Sequence, residues 1–422
     1  MKLIVTKNLI TCENMQVSVS KKPMGILVDK TLIAEVSPMS EWESRLSRNE
    51  ESGQEMLLLQ GADTVPVEVL DMGEQYVLPG LIDGHLHLSF SSSEQPLIEL
   101  YQDDDSEILL RMVKAMEMEL KSGVTTVRDC GARGMSVLKL RDFVKNGVMQ
   151  GPDIISAGMP ITITGGHCNF CGLEIDTREE AVKAVRQLCK AGVDYIKVMV
   201  SGGNMTPGSD SLIDQYDQET LTVIVTEAHN RGKKVAGHVH SVEGIRRAVA
   251  AGFDTLEHCS YKTETGEAYD EKLAEAIRNA GIAVNPAMGK AYILPAELAA
   301  PLPDKVAMWE EFQKSRFSTT ERMYQAGVTV FAGTDAGCKN TKFDEFYLTL
   351  DLMENKIHMK KEDVLLSATG YAAKALGIDR IVGSIEAGKQ ADIICVKENP
   401  MESFLNLKNV TMVMKKGERA AI

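Results

Sequence analysis

The sequence has no excess of positive charge and no long apolar run, and these two absences exclude several classes of protein. Its 422 residues contain 46 Lys and Arg against 60 Asp and Glu, a formal net charge of −14 at pH 7. Nucleic acid and anionic membrane surfaces would repel such a chain, so neither is expected as a partner. The N-terminal run MKLIVTKNLITCEN is too short and too interrupted for a signal peptide, and no later run could span a bilayer. A cytoplasmic protein is therefore expected.

The eight cysteines also lack the spacing of a disulfide framework. Cys168 and Cys171 form a C-x-x-C, but a zinc site would need a second such pair or nearby histidines. A redox motif would need a thioredoxin-like context, and only His167 is adjacent. We therefore expect reduced thiols that bind no metal.

The composition is that of an ordinary soluble protein, with 44% hydrophobic and 25% charged residues. The length suits a large domain and a small one. Residues 1–75 consist of short strands and turns, with a charged segment at 40–56 predicted as an exposed helix or loop. Residues 381–422 have the same character. We predict that 1–75 and 381–422 together form a small composite β-sandwich domain, with the large domain, 76–380, between them.

Short apolar strands alternate with amphipathic helices between residues 76 and 380. The candidate strands are VLPGLIDGHLHL, VTTVRDC, DIISAG, DYIKVMVS, KKVAGHVH, DTLEHCS, IAVNPAM and VTVFAGTD. Many of the helices end in Gly, as expected for a left-handed cap before the next strand. This alternation predicts an α/β fold, a (β/α)8 TIM-type barrel. A doubly wound open sheet is the alternative, although no Gly-rich phosphate turn follows the first strand.

The first of these strands carries two histidines at alternate positions. Side chains at i and i+2 of a strand point to the same face, so His85 and His87 can converge on one point. Imidazole is the commonest metal ligand, and the pair therefore suggests a metal site. The alternative is two unrelated histidines on an ordinary strand.

Further candidate ligands lie where the other predicted strands end, which in such barrels is the functional face. The complete set is His85, His87, Lys197, His238, His240, His258 and Asp335. Six of these residues would make a two-metal cage of four imidazoles, one carboxylate and one bridging anion.

Lys197 would supply the bridging anion. An ammonium group would repel divalent cations, whereas a carbamate formed from the amine and carbon dioxide offers two oxygens to two metals. Burial and nearby cations favour the neutral amine that this reaction needs. The alternative is a lysine that extends from the strand end to solvent.

These residues and several short motifs carry a resemblance to a known family. The set of His-x-His, the lysine of strand four, two single histidines and Thr-Asp resembles the amidohydrolase superfamily, as does the closing segment GSIEAGKQADIICVKENP. Within it, the motifs TGGH, IKVMVSGG, GHVH and GTDAG are most similar to the branch of imidazolonepropionase-related dipeptidases. That branch includes Xaa-Pro dipeptidases (prolidases), carboxypeptidases that act on Xaa-Arg or Xaa-Lys, and ochratoxin-hydrolysing amidases.

The resemblance implies a ligand for each metal position. One divalent ion would be held by His85, His87 and Asp335 and the other by His238 and His258, with carboxylated Lys197 and a hydroxide as bridges. Zinc is the first candidate, and Mn, Co and Fe also suit such a cage.

The resemblance also implies a reaction, the hydrolysis of an amide bond in a dipeptide or an N-acyl amino acid. Two cations lower the pKa of a shared water from about 16 toward about 7. Asp335 would carry the proton of the attacking hydroxide to the leaving nitrogen, and His167 would contact the scissile carbonyl.

Substrate-binding residues are less clearly indicated. The resemblance places His240 near the substrate, where it contacts a carboxylate or bonds to a backbone carbonyl. Lys290 and Tyr292 follow strand seven and are candidates for binding a substrate carboxylate. Arg128 and Asp129 either brace the site or only pack in the barrel. Relatives of this kind often associate, so a homo-oligomer is compatible with the resemblance.

Two other functions remain open. A mononuclear deaminase or a ring-opening hydrolase of a small cyclic amide would generally lack the lysine and have a Glu soon after the strand-five histidine, whereas Glu243 lies too far along. A non-catalytic assembly protein on this scaffold would be expected to have lost ligands. Metal content of two, one or zero equivalents per chain would separate the three.

Overall fold

Strands from the two ends of the chain pair with each other. The structure, a computed structural model, describes residues 1–50, 52–59, 63–289 and 303–421. A six-stranded sheet has the order Glu418–Arg419, Val410–Lys415, Ile393–Val396, Tyr76–Pro79, Asn8–Thr11 and Ser18–Val19. A four-stranded sheet has the order Leu32–Pro38, Met24–Asp29, Lys2–Thr6 and Glu68–Asp71.

These two sheets share one hydrophobic core. Ile4 and Ile26 of the four-stranded sheet pack with Leu9, Val77 and Ile393 of the six-stranded sheet, and all five are buried. The alternation of strand side chains places one face of each sheet in this core. The apolar residues near the two chain ends are therefore buried against each other.

The charged segment at 40–56 is more structured than predicted. It contributes the helix Met39–Glu43 and two strands of a third sheet, which has the order Leu46–Arg48, Glu55–Leu58 and Thr64–Pro66. Trp42 is fully buried among Leu3, Leu27, Leu57 and Val67, and its Nε1–H donates to the Ser37 carbonyl oxygen at 3.1 Å. Most of the described residues of this segment are exposed, as predicted; the differences are the two strands and the buried Trp42, a large apolar side chain that anchors the polar run around it.

The middle of the chain confirms the predicted α/β class. One parallel set contains Leu81–Leu86, Val124–Asp129 and Asp153–Ser156. A second contains, in spatial order, Leu173–Glu174, Ile161–Thr162, Ile196–Met199, Val235–Ser241, Thr255–Thr263 and Ala283–Asn285, with Gly266–Glu267 paired antiparallel to Thr255–Thr263. Almost every residue of the longer strands is buried, as in sheets with both faces covered.

Helices alternate with these strands. Besides Met39–Glu43, the α-helices in the described part of the chain are Pro96–Gln102, Asp105–Lys121, Ser136–Lys145, Arg178–Ala191, Gln218–His229, Val242–Ala251, Glu271–Asn279, Pro303–Gln325, Phe346–Asn355, Lys361–Ser367 and Gly370–Leu376. Short 3-10 helices cover Glu13–Met15 and Phe404–Lys408. Left-handed caps at Gly192, Gly252 and Gly377 end three of them, as predicted. No helix in the described part of the chain combines the length and apolar character that crossing a membrane requires.

Two predicted strands differ from the structure. The stretch 77–88 is two strands: Tyr76–Pro79 pairs with Ile393–Val396, and Leu81–Leu86 pairs with Val124–Asp129. Gly80 allows this change of sheet, because a Cβ there would lie 2.2 Å from Thr125 Oγ1. The predicted eighth strand is extended chain with two isolated bridges, Val284↔Val330 and Leu86↔Ala336. It lies between the strands Ala283–Asn285 and Leu81–Leu86 and exchanges backbone hydrogen bonds with both.

A cluster of charges joins the six-stranded sheet to the parallel strands. The Lys415 ammonium contacts Asp392 at 2.5 Å and Asp153 at 2.8 Å, and Lys416 contacts Asp153 at 2.7 Å. Burial tends to raise the pKa of Asp153, but Lys415 and its other donors lower it to about 2. This cluster does not locate the boundary between the predicted small and large domains, which stays a prediction.

Asp153→Asn is expected to lower the free energy of unfolding by about 1–3 kcal/mol at neutral pH, because charge-assisted hydrogen bonds are lost. The folded-state pKa lies below the unfolded value of about 3.9, so this stabilisation is present above about pH 5 and is lost as pH falls toward 2. Urea unfolding of both proteins from pH 7 to pH 3 measures it. The exposed Asp63→Asn is the control, and an equal effect of both substitutions would contradict the assignment.

Candidate metal centre

His85, His87 and Asp335 converge where two neighbouring segments end. The Asp335 N–H donates to the His85 carbonyl oxygen at 2.7 Å, and the His87 N–H donates to the Ala336 carbonyl oxygen at 2.8 Å. Asp335 Oδ1 lies 3.6 Å from His85 Nε2 and 3.5 Å from His87 Nε2. One cation placed among these three atoms could be bound by all of them.

Asp83 holds these two segments in register. Its carboxylate accepts from the His85 N–H at 3.0 Å, the Thr334 N–H at 3.1 Å and the Thr334 hydroxyl at 2.5 Å. Burial raises the pKa of Asp83 to about 6, against the lowering effect of these hydrogen bonds. Asp335 itself has φ +62°, a conformation that non-glycine residues adopt when the surrounding structure enforces it.

A second group of donors lies beside the first. The ring centroid of His238 is 4.6 Å from that of His258, 4.7 Å from that of His240 and 4.5 Å from that of His167. The His85 and His258 rings are 5.3 Å apart, so the two groups form one continuous cluster. His238, His240 and His258 can each offer a ring nitrogen to one cation.

Lys197 lies within the same cluster. It is 1% exposed and lines one cavity with the six clustered histidines and Asp335. Its Nζ makes no hydrogen bond to any described residue. The alternative, in which this side chain extends to solvent, therefore does not occur, and a buried ammonium without an acceptor would be costly. The chemistry of the site fits a carbamate with cations beside it.

The imidazoles of the second group are neutral. Burial, and after it the charges of neighbouring rings, lower the pKa of His238 and His258 well below the ordinary value. Burial also lowers the pKa of His87, although Asp335 opposes this. A neutral imidazole keeps the lone pair that a metal needs.

His85 rests on a buried ion pair that the sequence analysis missed. Its Nδ1–H donates to Glu257 Oε2 at 2.8 Å, and Arg128 Nη2 donates to Glu257 Oε1 at 2.6 Å. Arg128 also donates from Nε to the Gly84 carbonyl oxygen at 2.6 Å. The geometry favours the bracing role of Arg128 over simple packing, and it orients Nε2 of His85 toward Asp335.

The charge on His85 depends on this environment. Burial lowers the pKa of His85, but Cys130 and Glu257 raise it to about 10. With Nδ1–H bonded to Glu257, the proton on Nε2 is the one that a cation would replace. His85, Cys130 and Glu257 also lie within 4.8 Å of one another. A cation there would lie against the Arg128 guanidinium, so we assign Glu257 to orienting His85.

His167 is held by its own turn and the neighbouring loop. Thr206 Oγ1 accepts from the Cys168 N–H at 2.9 Å and lies 3.1 Å from His167 Nδ1. The hydroxyl proton can then go to Nδ1, which leaves an N–H on Nε2. A Cβ at Gly203 would lie 2.5 Å from the His167 ring, so only glycine permits this approach.

The cavity above the cluster has a volume of about 560 Å³. Its wall near His240 carries Lys262 and Arg316, and both cations help to lower the pKa of His240, after burial. Ser260 Oγ lies 2.9 Å from His240 Nδ1 and fixes that ring. The lining also includes the apolar side chains of Leu97, Ile98 and Met205.

The structure thus brings together His85, His87, His167, Lys197, His238, His240, His258 and Asp335. Lys290 and Tyr292 lie outside the described residues. Asp129 accepts from the Leu88 N–H at 3.1 Å and from Ser156 Oγ at 3.0 Å, and so supports the loop after His87. A signal for Glu257 existed, since a charged residue in the middle of a strand predicted to be buried needs a partner, and Arg128 stands in another such strand.

Comparisons with known proteins agree with this geometry. Residues 76–420 match the family model described as "Amidohydrolase family". The chain is 28% identical over 379 residues to ochratoxinase of Aspergillus niger, which covers 81% of this chain and 75% of the relative. It is 25% identical over 364 residues to imidazolonepropionase of Agrobacterium fabrum, which covers 77% of this chain and 76% of the relative.

A solved structure is similar over almost the whole length. The crystal structure of a Xaa-Pro dipeptidase with bound methionine in the active site has a TM-score of 0.82 and 27% sequence identity, and the match covers 99% of each chain. The family match includes every clustered histidine, Lys197 and Asp335. The chain belongs to the amidohydrolase family.

Proposed function

We propose that this chain is a binuclear metal-dependent amidohydrolase that cleaves the amide bond of a dipeptide or an N-acyl amino acid. Family membership and the ochratoxinase, imidazolonepropionase and dipeptidase relatives make it a hydrolase that acts on C–N bonds. The observation that carries the finer proposal is the buried Lys197 nitrogen, which has no acceptor among the described residues and lies in one cavity with two groups of metal donors.

The donor set fits two cations. His85, His87 and Asp335 would hold one and His238 and His258 the other, with a carbamate on Lys197 as the shared anion. Zinc is the first candidate, and Mn, Co or Fe would also suit these ligands. Such ions supply Lewis acidity, which makes water a usable nucleophile near neutral pH and polarises a carbonyl group.

His167 and Asp335 would perform the proton and charge chemistry. His167, with its N–H on Nε2, donates to the carbonyl oxygen of the scissile amide as negative charge develops there. Asp335 accepts the proton of the attacking water on its carboxylate and delivers it to the leaving nitrogen. The strained backbone of Asp335 keeps that carboxylate aimed at the cluster.

The cavity walls suggest which substrates fit. His240, Lys262 and Arg316 form a cationic side that suits the free carboxylate of the leaving amino acid. The apolar side chains of Leu97, Ile98 and Met205 also line the cavity and suit an apolar acyl group. A dipeptide or N-acyl amino acid with an apolar acyl part therefore matches both kinds of lining residue.

We further propose that the parallel strands close into a (β/α)8 barrel. The bridge at Val330 connects the last segment to the strand Ala283–Asn285, and the bridge at Ala336 connects it to the first strand; the Asp194 N–H donates to the Ser156 carbonyl oxygen at 2.8 Å, between the two parallel sets. The shared core of the end-derived sheets supports a β-sandwich domain of 1–75 and 381–422 beside the large domain of 76–380.

Ring-opening hydrolysis of a small cyclic amide is the alternative, favoured by the imidazolonepropionase relative. A metal content of one equivalent, together with turnover of imidazolonepropionate and not of dipeptides, would select it.

Metal-loaded protein is expected to release free amino acids from some members of a dipeptide and N-acyl amino acid library. Asp335→Asn is expected to lower kcat on the best substrate by about 10²–10⁴-fold, the usual contribution of a proton-transfer group. The metal content should stay near the wild-type value, since the amide oxygen remains a ligand.

Amino-acid release is measured by amine labelling and the metal by elemental analysis. Asp142→Asn, on the exposed surface of the helix Ser136–Lys145, is the matched control. Turnover by Asp335→Asn at the wild-type rate would remove Asp335 from the reaction.

Lys197→Met is expected to reduce bound metal from about two equivalents per chain to about one or fewer, because the bridging anion is lost while the buried volume is kept. Metal content after dialysis is the measurement, and Lys114→Met, at an exposed helix position, is the control. Two tightly bound equivalents in Lys197→Met would rule out the carbamate bridge.

Glu257→Gln is expected to weaken metal binding by about 10–100-fold, since the charge that supports His85 is lost. Competition with a chelator measures the affinity. Glu119→Gln is a closely matched control, because Glu119 is also fully buried, its carboxylate bonds to no described residue, and burial raises its pKa well above the ordinary value. Equal affinities in the two variants would argue against a role for Glu257.

A further inference from the structure

Cys168 and Cys171 have no part in the reaction proposed above. Both thiols are reduced, and both side chains are buried. Cys168 nevertheless lines the cavity, next in sequence to His167. Neither thiol belongs to a three-donor metal group among the described residues. The C-x-x-C therefore has a position in the site without an assigned use.

The two cysteines stand at the ends of one tight turn. The Cys171 N–H donates to the Cys168 carbonyl oxygen at 3.0 Å, and Cys171 Sγ lies 3.5 Å from the same oxygen. A four-residue turn keeps its end Cα atoms within about 7 Å. A disulfide needs a Cα separation of about 4.4–6.8 Å, so the backbone already has a suitable spacing.

The side chain of Cys171 holds the pKa of the Cys168 thiol below its ordinary value; burial opposes this effect and the adjacent His167 adds to it. The thiolate is the form of cysteine that reacts with oxidants.

We propose that Cys168 and Cys171 are an oxidisable pair that forms a reversible disulfide in response to a hydroperoxide. Cys168 Sγ attacks one oxygen of hydrogen peroxide, the O–O bond breaks, and water leaves with formation of a sulfenic acid. Cys171 Sγ then displaces the hydroxyl group as a second water and forms the S–S bond. The two thiols lose two electrons and two protons in total, and a dithiol reductant restores them.

The disulfide would act on the site through His167. Thr206 Oγ1 contacts both the Cys168 backbone N–H and the His167 ring, so a movement of Cys168 is transmitted to that ring. The ring has little room to adjust, since it lies against Gly203. This consequence rests on the proposed role of His167, whereas formation of the disulfide does not.

Peroxide treatment of the metal-loaded protein, followed by alkylation and peptide mass mapping, tests the pair directly. The expected product is a peptide that links Cys168 to Cys171 and has lost two hydrogen atoms, and it should disappear after dithiothreitol. Turnover should fall by about 100-fold on oxidation, the cost of misplacing a catalytic group by about 1 Å, and recover on reduction. Metal content measured in the same samples should be unchanged.

Two variants complete the test. Cys171→Ser should form no such disulfide, whereas Cys189→Ser, on the helix Arg178–Ala191, should respond as the wild type does. A disulfide between Cys168 or Cys171 and Cys338 or another cysteine would overturn the proposal. So would a result in which Cys168 and Cys171 both remain alkylatable under peroxide conditions that oxidise Cys189. If the reduced protein hydrolyses no substrate, the proposed function fails, and the mapping still decides whether the pair forms.

Discussion

The site is governed by the free-energy cost of burying polar and charged groups without water. Six of the eight histidines in the chain share one cavity with a lysine that is almost wholly excluded from solvent. Burial lowers the pKa of His87, His238, His240 and His258, and a lysine nitrogen without an acceptor is unfavourable in either protonation state. Cations, with the Asp335 carboxylate and the proposed carbamate around them, would relieve both problems together.

The surrounding structure keeps these groups in position with buried polar contacts of its own. Asp83 joins the first strand to the segment that carries Asp335, and Arg128 with Glu257 supports His85 from behind. Each carboxylate is fully buried and accepts at least two hydrogen bonds, which is the condition under which buried charge specifies a geometry. The ligands are thus attached to a framework with little freedom to relax.

The ligand positions were predictable from the sequence because they follow from local rules. Histidines two residues apart on a strand share a face, and parallel strands end on a common edge, so His85, His87, His238 and His258 could be expected to meet. The role of Glu257 could not be predicted, because its partner Arg128 lies 129 residues away in the sequence and only the three-dimensional structure shows that the two are paired. The burial of Trp42 and the change of sheet at Gly80 were missed because composition describes the average character of a segment and not one side chain's contacts.

The pairing of the two chain ends has a consequence for how the protein is made. The strand Tyr76–Pro79 lies between Asn8–Thr11 and Ile393–Val396, so it acquires its second neighbour only after nearly the whole chain has left the ribosome. Contacts between residues so far apart in sequence are slow to form. Until then the edge of Tyr76–Pro79, immediately before the strand that carries His85, is open to pairing with other chains, and chaperones have most reason to act on it.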